Sequence, residues 1–394
     1  MSLADELQAH EVKGEWSIGP HGGEFSKIVM DAPVRGMDDI LVKIGVDPEQ
    51  FEVVGDTFRA NAWQQSKRTA DGDRDVVTLH SYKGEFRKRR DKIDLPLLMS
   101  RDIFRSYATS RATHDFTAVV APSDEQAGKT DHRGGTPELI ERVKSAQAAW
   151  DEYLKAKRPQ RAIIALGGDG IEGFESSGGS GGPKAYWSND LSLTQQLDLY
   201  ASMVFDWIAV TARHDLLHPI IVLAVPSNHG QWRVNGQAIG KPSDDLGLHS
   251  VRNAVQRAKD LAIPVELITP ATDYDLAVGV TVHGVKIALA HGEECKPGHE
   301  AQWMAMQAKD LRSPFRDAAV RLTGHYHHAT LQQDGQAPTA DGRVIPAWHI
   351  RLPTLDGGSS WFKNKSAGVD ADPGVVAFAV DARGLRMQDF TIFS

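Results

Sequence analysis

Cysteine is nearly missing from this chain: 394 residues contain one, Cys295, so no disulfide can close within it. A disulfide-stapled scaffold is excluded, and a reducing compartment is compatible. Long apolar runs are missing too, so no segment reads as a membrane-spanning helix. The opening MSLADELQAHEVKGEW has neither the basic start nor the apolar stretch of a secretory signal. The expectation is a cytoplasmic protein with no membrane partner. Positive charge is in deficit: 44 Lys and Arg against 52 Asp and Glu leave a formal net charge of -8. That argues against a protein that coats nucleic acid nonspecifically. It leaves room for a nuclease, because local cations and bound metal ions attract phosphates. Internal repeats and long low-complexity tracts are also missing.

What is present divides near residue 110. Residues 1–110 read as a small α+β accessory module, with a helix over Met37 to Ile44 and strands over Phe51 to Phe58 and Val76 to Phe86. Residues 111–394 alternate. Thr117 to Ala121, Ala162 to Leu166 and Ile220 to Val225 are short apolar runs of the kind that form buried strands. Thr136, followed by Pro137, reads as the N-cap of one helix, and Ser192 with Gln195 as the capping box of another. A hairpin is expected from Val278 to Ala290, turning at His283 and Gly284, and strands over Val375 to Val380 and Leu385 to Ile392. Alternating strands and helices followed by antiparallel strands imply a layered α/β domain.

Each buried strand runs into a polar loop that carries a metal-ligand type. The loops are SDEQAGK with Asp124 and Gln126, GGDGIEG with Asp169 and Glu172, PSNHG with Asn228 and His229, AHGEE with His291, and TGHYHH with His325 and His327. In α/β folds, ligands gather beyond the carboxyl ends of strands. Carboxylate, imidazole and amide donors together suit manganese, iron or zinc better than calcium. An H-x-H pair on an extended segment points both rings the same way. Singly, Asp124 reads as a turn residue and His291 as a satisfied polar group; their place in an ordered set reverses both readings. Cys295 reads as an inert thiol, and the glycine-rich segment 176–183 as a loop.

In that order the strings resemble those of the calcineurin-like metallophosphoesterases: D-x-H, G-D-x-x-[DE], G-N-H-[DE], a lone His-Gly after a strand, and G-H-x-H. The resemblance covers roughly residues 116 to 330, and SNHG and GDGIEG look most like phage-encoded members. It implies a four-layer αββα sandwich and a dinuclear centre of two divalent metal ions, manganese first, with iron or zinc as alternatives. It assigns Asp169 as the bridge, and Asp124, Gln126 and His327 to the first metal. Asn228, His291 and His325 go to the second, and His229 becomes the proton donor. The chemistry implied is in-line attack by a metal-activated hydroxide.

Two departures stand out. Gln126 replaces a histidine, which implies a weaker first site, one that Glu125, Asp131 or His132 could complete. Gly230 replaces an acid, which leaves Glu172 as the candidate for orienting His229. The leading expectation is a phosphodiesterase acting on DNA, in the host cytoplasm if phage-encoded. The basic run of Arg87, Lys88, Arg89 and Arg90 is its candidate nucleic-acid contact, with a solvated strand end as the plainer reading. Trp63 and Phe86 are candidates for base stacking. The alternatives are a phosphomonoesterase acting on a small molecule or phosphoprotein, and a non-catalytic binding module on a decayed core.

Overall fold

The computed structural model describes residues 3–7, 12–19, 22–54, 57–69, 71–88, 114–131, 133–173, 189–234, 237–358 and 372–394. Arg89, Arg90, His132 and the segment 176–183 lie outside the described residues. The chain forms two compact units, Met1–Lys92 and Ile93–Ser394.

The smaller unit contains α1 (Leu3–Glu6), β1 (Lys13–Gly19), β2 (Gly22–Met30), α2 (Met37–Lys43), β3 (Phe51–Val53), β4 (Arg59–Arg68) and β5 (Arg74–Lys88). The strands pair antiparallel in the order β1-β2-β5-β3, with β4 also on β5. Ile40 and Leu41 of α2 bury against Phe25, Ile28, Tyr82 and Phe86 of the sheet. Phe86 is therefore a core residue, not a platform for stacked bases. The strand expected from Phe51 to Phe58 stops at Val53, because Thr57 donates its hydroxyl to Val54 O at 2.7 Å and turns the chain. β4 is exposed along its whole length, so it carries no apolar alternation by which the sequence could reveal it.

The larger unit is a mixed α/β assembly. Its elements in chain order are β6 (His114–Ala121), α3 (Thr136–Lys157), β7 (Pro159–Leu166), α4 (Leu193–Ala212), β8 (Ile220–Ala224), β9 (Arg233–Val234), β10 (Gln237–Ala238), α5 (Leu246–Asp260), β11 (Val265–Ile268), β12 (Ala277–Val282), β13 (Val285–Ala290), α6 (Glu300–Gln307), β14 (Val320–Thr323), β15 (Thr330–Pro338), β16 (Val344–Arg351), β17 (Val375–Asp381) and β18 (Gly384–Phe393). One sheet runs β11-β8-β7-β6-β17-β18 and the other β12-β13-β14-β16-β15. β6, β7, β8 and β11 are parallel, as are β13, β14 and β16.

The pleat sorts β6 between two cores. Ala118 and Val120 face the helices α3, α4 and α5. Val119 and Ala121 face a second core shared with residues of the other sheet, such as Ile287 and Leu322. On that sheet's far side, Met304 of α6 packs on Ala288 and Ala290. Ser192 caps α4 as the sequence implied. α3 is capped differently: its N-cap is Gly135, whose N–H donates to Glu138 Oε2 at 2.8 Å. Thr136 instead gives its backbone N–H and hydroxyl to Asp190, at 2.8 and 2.6 Å, so a carboxylate from a distant loop does the capping. Among the described residues no helix is long and apolar enough to cross a membrane.

α3 and α4 are joined by a fully buried hydrogen bond, Trp150 Nε1 to Thr211 Oγ1 at 2.9 Å. Thr211→Val keeps the shape but strands the indole N–H, and an unsatisfied buried donor costs about 1–3 kcal/mol. Urea denaturation of the variant should register a loss of that size.

Candidate metal centre

The parallel strands of both sheets release their loops at carboxyl ends, and the candidate residues sit there. The first two loops run side by side. Asp124 N donates to Gly168 O at 3.0 Å, Gln126 N to Asp169 O at 2.8 Å and Ala127 N to Gly170 O at 3.0 Å. Gly170 is required at that seam, since a Cβ there would meet the Tyr200 ring at 2.0 Å. Gly324 N donates to His291 O at 2.8 Å, joining the loops after β13 and β14.

Five candidate residues adopt left-handed backbone: Asp124 (φ 52°), Gln126 (46°), Asp169 (49°), His325 (68°) and His327 (59°). Each costs of order 1 kcal/mol and persists only where the surroundings impose it. This corrects the extended reading of His325-Tyr326-His327. The segment coils through the hydrogen bonds Tyr326 N to Gly324 O and His328 N to Tyr326 O, at 2.8 and 2.7 Å. The two rings therefore part. His325 stands edge-on to His291 with ring centres 5.1 Å apart, while His327 Nε2 lies 3.4 Å from Asp124 Oδ1.

Donor atoms of Asp169, His291 and His325 lie within 4.8 Å of one another, the one such cluster of three among the described residues. His291 Nδ1 faces Gly167 O at 2.8 Å, so it donates there and leaves Nε2 toward the centre. That Nε2 is 3.0 Å from Asp169 Oδ2 and 3.1 Å from Asn228 Oδ1. A nitrogen flanked by two oxygens must carry a proton or give way to a cation. Burial works against that proton, but the charge of Asp169 raises the His291 pKa well above its ordinary value. The same exchange depresses Asp169: burial acts to raise it, and the charges of His291 and His229 outweigh that. Burial and the charge of His291 lower His325 to about 4, so its imidazole is neutral and ready to coordinate. Carboxylate, amide oxygen and two imidazoles fit a divalent transition ion.

Around the other half, Asp124 Oδ2 accepts from His325 N at 3.1 Å and from the Ser123 hydroxyl. Asp124 Oδ1 is buried without a hydrogen-bond partner. Gln126 turns its amide elsewhere: Oε1 accepts from Lys129 Nζ at 2.8 Å, and Nε2 lies 3.3 Å from His229 Nε2. His229 Nδ1 lies 2.9 Å from Glu172 O and 3.3 Å from Glu172 Oε2, and its backbone N–H donates to Asp169 Oδ1 at 3.0 Å. Burial would lower the His229 pKa, but the charges of Asp169 and Glu172 hold it up at about 9.

Three contributors escaped the sequence reading. Asp245 caps α5, accepting from Leu248 N at 2.7 Å, and also accepts from Ser227 N at 3.0 Å, which pins the loop of Asn228 and His229. A Cβ on Gly230 would meet that carboxylate at 2.0 Å, which accounts for the glycine. The loop after β16 closes on the site: Thr354 Oγ1 donates to Asp124 O at 2.8 Å, and Asp356 Oδ2 accepts from Lys129 Nζ at 2.5 Å. The signal available for it was another strand followed by a polar loop, LPTLDGG. Cys295 is buried, and burial pushes its thiol up to about 12. In the smaller unit, Arg87 Nε pairs with Glu52 Oε1 at 2.8 Å, Lys88 is exposed and Trp63 is 40% exposed.

No family model matches the chain, and no curated protein matches it. Solved structures similar to it include Vps29 with zinc from Entamoeba histolytica, at 10% identity and a TM-score of 0.30, covering 70% of this chain and 99% of that one. A metallophosphoesterase from Sphaerobacter thermophilus is 12% identical, with a TM-score of 0.29 and coverage of 71% and 89%. The purple acid phosphatase PPD1 of yellow lupin seeds is 10% identical, with a TM-score of 0.29 and coverage of 93% and 69%.

The buried charge gives a pH test. Burial, then the charges of Asp124 and Asp169, push the Glu125 carboxyl up to about 8 from 4.5. A raised folded pKa contributes stability that is complete below the unfolded value and lost as pH rises through the folded one. The metal-free protein should therefore lose Glu125's contribution between pH 4.5 and about 8. Thermal melts across this range should fall less steeply for Glu125→Gln than for the parent; parallel curves would refute the assignment.

Proposed function

We propose that this chain is a metal-dependent hydrolase of phosphate esters, a calcineurin-like metallophosphoesterase whose larger unit is a four-layer αββα sandwich. The observation that carries the reading is the convergence of buried Asp169 and His291 with half-buried His325, with Asn228 Oδ1 on the same His291 nitrogen and His229 alongside. Asp169, Asn228, His291 and His325 would hold a divalent ion, for which we propose manganese, with iron and zinc tested beside it. When bound, such an ion supplies positive charge for phosphoryl oxygens and lowers the pKa of water.

The chain's own groups do the rest. Asp169 lends one oxygen to the centre and the other to His229 N, so it registers the acid against the metal. Glu172 grips Nδ1 of His229 and sets the ring's direction. With Nδ1 held by Glu172 and its backbone N–H by Asp169, His229 is the group beside the centre placed to give a proton to a departing oxygen. Asp245 keeps Ser227 and the residues after it in place.

For the substrate we propose a phosphodiester of DNA. Support comes from the smaller unit, where Arg59, Lys67 and Arg68 on β4 and Arg74, Lys83 and Lys88 on β5 are exposed cations on paired strands. Exposed cations attract a phosphate backbone, here as the facing pairs Arg59 with Lys83 and Arg68 with Arg74, and the -8 of the whole chain does not cancel a local field.

Asp169→Asn should abolish hydrolysis and, by calorimetry, metal binding together. His229→Ala should keep its metal but lose about 100- to 10,000-fold in turnover, less on nitrophenyl esters whose leaving group needs no proton. A panel of DNA, a generic phosphodiester and a phosphomonoester reads the substrate. Preference for the monoester would replace the DNA reading, and full activity in Asp169→Asn would end the hydrolase reading.

A further inference from the structure

The two halves of the centre are not equally built. Asp169, His291 and His325 converge, whereas Asp124 and His327 meet no third carboxylate or imidazole within the same reach among the described residues. On that side Gln126 stands where a third ligand was expected, and its oxygen is already engaged by Lys129 Nζ at 2.8 Å. The turn from Gln126 to Lys129, closed by Lys129 N to Gln126 O at 3.0 Å, folds the ammonium back onto the amide. Asp356, 227 residues further on, also accepts from it, at 2.5 Å. The Lys129 side chain is only 10% exposed. Burial acts against its charge, but Asp356 and Glu172 outweigh that and keep it protonated.

An ammonium has three donors and no acceptor. Two go to Gln126 and Asp356, and the third has no partner among the described residues. Through Gln126 the ammonium is one amide away from His229 Nε2. A buried cation with a spare donor, held beside the proposed phosphate-ester site, has the chemistry to bind a phosphate oxygen.

We propose that Lys129 is a substrate-binding residue that donates its third N–H to a phosphoryl oxygen, that Gln126 positions it rather than ligating metal, and that the chain tightly loads one metal ion, not two. This rests on the reading of the centre as a phosphate-ester site.

The test uses the full chain, stripped with chelator, and reads binding rather than turnover. Calorimetry with elemental analysis should find one tight equivalent of manganese in the parent and the same in Lys129→Met. Titration of inorganic phosphate into the manganese-loaded proteins should show affinity about 10- to 100-fold weaker for Lys129→Met, the worth of one hydrogen bond to a charged group. Two tight equivalents in the parent would overturn the proposal, and so would unchanged phosphate affinity in a folded Lys129→Met. If Lys129→Met does not fold, the parent's stoichiometry still decides. Metal and phosphate binding as described, without hydrolysis of any ester, would refute the hydrolase reading and leave this one standing.

Discussion

Buried negative charge is the constraint on which the site depends. Asp124, Glu125, Asp169 and Glu172 are all at most 4% exposed, within loops that touch. Moving a carboxylate out of water costs several kcal/mol unless positive charge and hydrogen bonds replace the solvent. The molecule answers with paired and donated protons. His291 and His229 flank Asp169, Lys129 lies between Gln126 and Asp356, and backbone N–H groups of Ser227 and His325 reach Asp245 and Asp124. Glu125 has no such answer for Oε1, which is why its carboxyl stays protonated to a higher pH than usual. A divalent cation, as proposed above, would complete the compensation that side chains leave unfinished.

The backbone bears a second cost for the same end. Among the described residues, five of the ten non-glycine positions in left-handed conformation are candidate site residues. The two sheets make this tolerable, because their parallel strands end at the same edge and their loops hydrogen-bond one another. Pre-formed strain of this kind holds donors apart at fixed distances before any ion arrives.

Much of this was legible in the chain because the information was local. β6, β7, β8 and β13 announce themselves as short apolar runs, and Asp124, Asp169, Asn228 and His291 follow within a few residues. The reading failed where partners are distant in sequence. Asp356 meets Lys129 across 227 residues, and Asp190 displaces Thr136 as a cap across 54. It failed also at His325 and His327, where period-two reasoning assumed an extended segment and left-handed turns send the rings to different neighbours. β4 was missed because a strand exposed on both faces has no pattern to detect.

Anomalous diffraction from crystals soaked in manganese tests the centre most directly, since it locates the ion without reference to turnover. The account predicts its strongest peak within the space bounded by Asp169, Asn228, His291 and His325. A crystal that takes up manganese elsewhere, leaving that space without a peak, would contradict it.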